Sequence, residues 1–133
     1  MWNGHFAHAA LNGFETRATM SHVSRIVIVT PAPPGSRKGN RVTASRWARM
    51  LRSLGHRVSV RESFQNERCD LLIALHARKS SSDVARFRRA NSDQPIVVVL
   101  TGTDLYGDIR TSRAAQQSLE LADRLVLLQP EGR

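Results

Sequence analysis

The run Ile96–Leu100, IVVVL, placed directly after Pro95, is five apolar residues long with no polar interruption. A strand with one wet face alternates apolar and polar residues. An unbroken run suits a strand buried on both faces, as in a parallel sheet covered by helices on each side. Residues 25–30 (RIVIVT) and 70–75 (DLLIAL) carry the same pattern, and residues 56–60 (HRVSV) and 124–128 (RLVLL) read as two further strands.

Helical signals fall between these strands. Ala44, Trp47, Ala48, Leu51 and Leu54 recur at helical spacing, with Asn40 as the expected N-cap and Gly55 as a left-handed C-cap. The serines at 80–82, with Asp83 in the first turn, open a shorter helix that sets Val84 and Phe87 on one face. A third helix, from about 111 to 122, sets Ala115, Leu119 and Ala122 on one side. Residues 64–69 read as a polar loop. Strands alternating with helices imply right-handed crossovers and an α/β fold, a Rossmann-like doubly wound parallel sheet of about five strands. The strand order expected from that analogy is 3-2-1-4-5.

A chain of 133 residues has room for one domain with a real core. Residues 1–24 show no period and include a second methionine, Met20, so they read as a flexible N-terminal extension to a domain at 25–133. His5, His8 and His22 match no metal-ligand spacing, and no metal is expected. Cys69 is the sole cysteine, which excludes an intrachain disulfide and a multi-cysteine metal site; its neighbours suggest a buried strand-edge thiol. No apolar stretch is long enough to span a bilayer, and the start lacks a basic leader, so the expected location is cytoplasmic.

Charge narrows the partners. Twenty Lys+Arg against eleven Asp+Glu give a formal charge of +9, which favours anionic partners: nucleic acid, phosphorylated metabolites or anionic lipid. No run of five cations forms a nucleic-acid arm, and exposed aromatics for base stacking are scarce, so nucleic acid is the weaker expectation.

Ligands of open parallel sheets bind outside the carboxyl ends of the strands, where the strand order reverses. Three polar clusters fall at such ends. The first is Gly35, Ser36, Arg37, Lys38, Gly39, Asn40 and Arg41, a turn running into a helix start where free N–H groups and the helix dipole favour anions. The second holds His76, Arg78 and Lys79. The third is Thr101, Gly102, Thr103 and Asp104, whose glycine and hydroxyls allow close approach to an anion or sugar. In the order 3-2-1-4-5 the reversal lies between strands one and four, so the first and third clusters are expected to face each other. The glycine spacing is neither a Walker A loop nor GxGxxG, which argues against ATP hydrolysis and NAD binding. No Ser-His-Asp arrangement or carboxylate pair is evident, and the catalytic candidates reduce to His76 and Asp104.

The phrases RIVIVTPAPPGSRKGNRVTASRWARMLRSLGHRV, CDLLIALHARKS, VVLTGTDLYGDI and LADRLVLLQPEG resemble the N-terminal half of selenosugar synthases of selenoneine biosynthesis. These are GT-B glycosyltransferases of the glycogen-synthase-like clan, and the resemblance runs from about Arg25 onward. It implies transfer of a sugar, chiefly N-acetylglucosamine, from a UDP-sugar to selenophosphate, with a carbon–selenium bond formed and UDP and the phosphoryl group lost. UDP-N-acetylglucosamine and selenophosphate would then be substrates, with no cofactor. Arg37, Lys38 and Arg41 would bind the acceptor oxyanion, Gly35, Ser36, Gly39 and Asn40 would shape the loop, and His76, Arg78, Lys79, Thr103 and Asp104 would line the cleft. The family's C-terminal donor domain has no counterpart in these residues, so it is the missing partner, and the chain alone is expected to be inactive. Two alternatives stand beside this reading: another GT-B nucleotide-sugar glycosyltransferase, and a non-catalytic basic module that binds phosphate or nucleic acid.

Overall fold

A computed structural model of the chain describes residues 23–32, 39–100 and 109–127. They form five parallel strands: β1 (Arg25–Val29), β2 (Arg57–Arg61), β3 (Leu71–Leu75), β4 (Ile96–Leu100) and β5 (Arg124–Leu127). Three helices lie among them: α1 (Gly39–Ser53), α2 (Ser81–Ala90) and α3 (Arg113–Leu121), the last preceded by a single helical turn at Ile109–Thr111. The expected Rossmann-like α/β fold is therefore present.

The order of the strands differs from the expectation. It is β2-β1-β3-β4-β5, so β3 pairs with β1 and β2 lies at an edge. The reason is visible in the residues. Every residue of β3 (LLIAL) is buried, which suits an interior strand, whereas β2 (RVSVR) has exposed ends and only one buried residue, Val58, which suits an edge. The order 3-2-1-4-5 would have put these two in each other's environments. Two hydrogen bonds fix β3 on β1: Arg25 N–H donates to Asp70 Oδ2 at 2.8 Å, and Asp70 N–H donates to the Arg25 carbonyl at 2.7 Å.

The connection from β2 to β3 contains no helix and crosses one face of the sheet with Phe64 and Cys69 buried beneath it. The loop expected at 64–69 is there, but its two apolar residues belong to the core. Phe64 meets Phe87 of α2 edge to face, with centroids 5.3 Å apart and planes at 75°. Both backbone groups of Phe64 are held by α2: its N–H donates to Asp83 Oδ1 at 2.8 Å, and its carbonyl accepts from Arg86 at 2.7 Å.

Alternate strand residues face opposite cores. Ile26, Ile28, Ile73, Leu75, Val97 and Val99 share one with Ala44, Trp47, Ala48 and Leu51 of α1. Val27, Val29, Leu72, Ala74, Val98 and Leu100 share the other with Val84 and Phe87 of α2 and Ala115 of α3. Burying each large side chain contributes roughly 1.5–3 kcal/mol, so both faces of the central strands work as hydrophobic surface.

The helix ends are specific. α1 stops in a Schellman arrangement: Gly55 N–H donates to the Arg52 carbonyl and His56 N–H to the Leu51 carbonyl, with Gly55 at φ +99°. Its start departs from the expectation, because the helix begins at Gly39 and Asn40 lies inside the first turn, too late to be the N-cap. α3 is capped by Ser112, whose Oγ accepts from Ala115 N–H at 3.1 Å. Asp123 ties the end of α3 to β4, since its Oδ2 accepts from Ile96 N–H at 2.8 Å and from Arg88 at 2.7 Å.

Candidate functional site

With β1 flanked by β2 on one side and β3 on the other, the strand order reverses between β1 and β3. A crevice at the carboxyl edge belongs at that reversal. The strand beside β1 on that side is β3, so residues 76–80, which follow β3, emerge next to the carboxyl end of β1. The expected adjacency of strands one and four is corrected, since β3 lies between β1 and β4; residues 35–38 and 101–104, expected to face each other there, lie outside the described residues.

Residues 76–80 form a turn held from several sides. His76 N–H donates to the Val99 carbonyl at 3.1 Å, extending the β3–β4 ladder by one residue. The chain then reverses direction at His76 itself, which has φ +77°, a left-handed conformation uncommon outside glycine and asparagine. Ser80 N–H donates to the His76 carbonyl at 3.0 Å, and Ser80 Oγ donates to the Leu75 carbonyl at 2.6 Å. From α3, Ser118 Oγ donates to the Ala77 carbonyl at 2.6 Å. Lys79 N–H donates to His76 Nδ1 at 3.2 Å. An Nδ1 that accepts carries no proton, so the neutral ring bears its hydrogen on Nε2.

The consequence is a rigid turn with an exposed tip. His76, Ala77 and Ser80 are buried, while Arg78 and Lys79 between them are exposed. His76, a catalytic candidate by sequence, is 3% exposed and has Nδ1 engaged; its visible role is to shape the turn that presents the two cations. At the neighbouring strand end, Thr30 is fully buried and its N–H donates to the Arg61 carbonyl at 2.8 Å.

Of the first cluster, Gly35, Ser36, Arg37 and Lys38 lie outside the described residues. So do Thr101, Gly102, Thr103 and Asp104. Gly39 is exposed at the start of α1, and a Cβ built there would meet nothing within 4 Å, so the fold itself does not require glycine. The first turn of α1 has no acidic residue to occupy its N–H groups. Arg41 is placed differently from the expectation. It lines a groove on the β2 side of α1, together with Ser45, Ala48, Arg49, Arg52 and Val60, and no residue of β3 or of 76–80 shares that groove. The rotation of α1, set by its buried Ala44, Trp47, Ala48 and Leu51, decides this. Arg49 and Arg52 were not singled out by sequence; their spacing from Arg41 along one helix face was the available signal.

Cys69 is buried, and its Sγ donates to the Leu71 carbonyl at 3.2 Å. Burial is the main force that pushes its thiol up to about 11, which makes it a protonated, unreactive group at neutral pH. Among the described residues no three His, Cys, Asp or Glu side chains are grouped so as to hold a metal ion. Nor is any described helix long and apolar enough to cross a membrane.

The fold is that of a Rossmann-like α/β domain, and beside its strand-order reversal the carboxyl edge carries the exposed cations Arg78 and Lys79. No family model matches the chain, and no curated protein matches it.

Proposed function

We propose that the chain is the acceptor-side domain of a UDP-sugar-dependent glycosyltransferase, and that its acceptor is a small phosphorus oxyanion of the selenophosphate type. The observation that carries this reading is the strand-order reversal between β1 and β3, beside which a rigid turn offers Arg78 and Lys79. A small, multiply charged oxyanion needs full positive charge and N–H donors from a fixed backbone, and a crevice at the end of a parallel sheet brings both together. Arg37 and Lys38, with the N–H groups at the start of α1, would bind the oxygens from one side and Lys79 from the other.

In the chemistry proposed, selenium attacks the anomeric carbon as the carbon–oxygen bond to UDP breaks, and UDP leaves with the electron pair. Water then cleaves the selenium–phosphorus bond and releases phosphate. The selenium nucleophile is already anionic, so this domain's contribution is placement and charge stabilisation, with no general base required. The donor would be held by a further domain, as the resemblance implies.

The test is calorimetric titration with selenophosphate, using thiophosphate as an air-stable surrogate. Saturable binding is expected, weakened about tenfold or more by Arg37→Ala/Lys38→Ala and by Lys79→Ala, as for lost charge-assisted hydrogen bonds. Absence of saturation, or equal affinity in both variants, overturns the proposal. The competing reading, a nucleic-acid module, fits the overall charge but finds no stacking surface among the described residues, where Trp47, Phe64 and Phe87 are all buried. A gel shift with single-stranded RNA that resists millimolar phosphate would favour it.

A further inference from the structure

The helix α1, GNRVTASRWARMLRS, contains four arginines and no acidic residue. Three of the four, Arg41, Arg49 and Arg52, fall on one flank of the helix with Ser45. With Ala48 and Val60 they line a groove of about 430 Å³ between α1 and β2. No carboxylate lines it among the described residues. Neither Arg41 nor Arg49 has a hydrogen-bond or ion-pair partner among the described residues, whereas Arg61, Arg86 and Arg88 are each paired with an acid. Like charges crowded on one face repel, and a bound anion relieves that repulsion.

The geometry of β2 selects the kind of anion. Arg57 N–H donates to the Ser24 carbonyl and Thr30 N–H donates to the Arg61 carbonyl, so residues 57, 59 and 61 turn their backbone groups toward β1. Val58 and Val60 therefore face the open edge. There Arg52 donates to the Val58 carbonyl at 2.8 Å, which occupies the edge acceptor that an added peptide strand would need. The same bond pins the Arg52 guanidinium beside the groove, with donors remaining. Among the described residues the groove wall has no aromatic side chain on which a nucleobase could stack. Arg49 and Arg52 lie about one helical turn apart, and Arg41 lies about 12 Å further along the axis from Arg49. Such a row of forked donors is longer than one phosphate, and a chain of linked phosphates can engage more than one guanidinium at once.

We propose that the α1/β2 groove is a second anion site, separate from the β1/β3 crevice, that takes a di- or triphosphate group, held by Arg41, Arg49 and Arg52 with the Ser45 hydroxyl as a further donor. The site recognises the phosphate chain and not what is attached to it.

The experiment is a titration of the full chain with sodium pyrophosphate, and separately tripolyphosphate, at fixed ionic strength, followed by amide chemical shifts. Saturable shifts are expected at Ser45, Arg49, Arg52 and Val60, with tripolyphosphate the tighter ligand. Arg49→Ala should weaken binding about tenfold, and Ser45→Glu, which adds a carboxylate to the groove, should abolish it. Arg46→Ala removes the same charge from a part of α1 that does not line the groove, and it should change affinity less than twofold. Three results overturn the proposal: no saturable shifts, an equal loss in Arg46→Ala and Arg49→Ala, or a loss in Lys79→Ala with none in Arg49→Ala.

Discussion

The backbone N–H of Lys79 donates to Nδ1 of His76 at 3.2 Å, inside a turn that His76 enters with φ +77°. The left-handed conformation costs a side-chain-bearing residue roughly 1–2 kcal/mol, and the ring bond helps offset it. His76→Ala keeps the strained backbone and loses the acceptor. It should lower the unfolding free energy by about 2 kcal/mol and weaken anion binding at the crevice. His76→Asn, which tolerates the left-handed region and offers an amide oxygen, should retain more of both. Urea denaturation and thiophosphate titration of the two variants measure this, and indistinguishable losses would mean that the ring acceptor does not hold the turn.

Asp83 takes the Phe64 N–H at 2.8 Å and lies 3.5 Å from Arg86, so one carboxylate fixes the crossover that places β3 beside β1. Burial raises its carboxyl above the ordinary value of 3.8, opposed in part by the Phe64 N–H and the Arg86 charge. A raised carboxyl favours the fold when protonated. That contribution is fully present below about pH 3.8 and is lost as pH rises through the higher folded value. Asp83→Asn keeps an acceptor for Phe64 and should remove this acid-side gain, leaving stability at pH 7 equal or better. Asp83→Ala orphans the Phe64 N–H and should cost about 1–3 kcal/mol at both pH values. Denaturation curves at pH 3 and pH 7 separate the two.

The two described glycines should respond oppositely to alanine. Gly55 sits at φ +99° in the C-terminal cap of α1, and Gly55→Ala should destabilise by about 1 kcal/mol. Gly39 begins the helix with open space around it, so Gly39→Ala should be neutral or stabilising by up to about 1 kcal/mol. If a ligand approaches the α1 start closely, the same Gly39→Ala change should weaken thiophosphate binding while the melting temperature holds or rises.

Cys69 should resist thiol reagents until the protein opens. Its folded value of about 11 lies above the ordinary 9.0, so stability tied to the protonated thiol is complete below pH 9 and falls as pH rises toward 11. Labelling with a disulfide reagent at pH 8 should be slow in buffer and fast in denaturing urea. Cys69→Ala should flatten the alkaline decline in stability between pH 9 and 11.

Much of the fold was legible because it rests on local patterns. IVVVL, LLIAL and the IVIV of β1 are strands because nothing in them can face water, and Ala44, Trp47, Ala48 and Leu51 mark one helix face by spacing alone. The cap at Gly55 was legible for the same reason, since only a residue without Cβ adopts that conformation at little cost. The candidate site was half legible. Loops after parallel strands share one edge of the sheet whatever the strand order, so Arg78 and Lys79 could be assigned to that edge. Which strand lies beside which could not, and the expected order 3-2-1-4-5 failed on that point. The polar alternation of RVSVR was the overlooked clue that β2 is an edge strand.

The sequence by itself determined the strands, the helices, the parallel α/β class and the charge at the carboxyl edge, because periodicity, turn chemistry and composition act over a few residues. Tertiary structure decided the rest. The passage of Phe64 and Cys69 across the second core carried β3 to the far side of β1, and the burial of Trp47 and Leu51 rotated Arg41 onto the β2 side of α1. Both outcomes depend on which surfaces exclude water together, a property of distant segments in contact that no local stretch of chain contains.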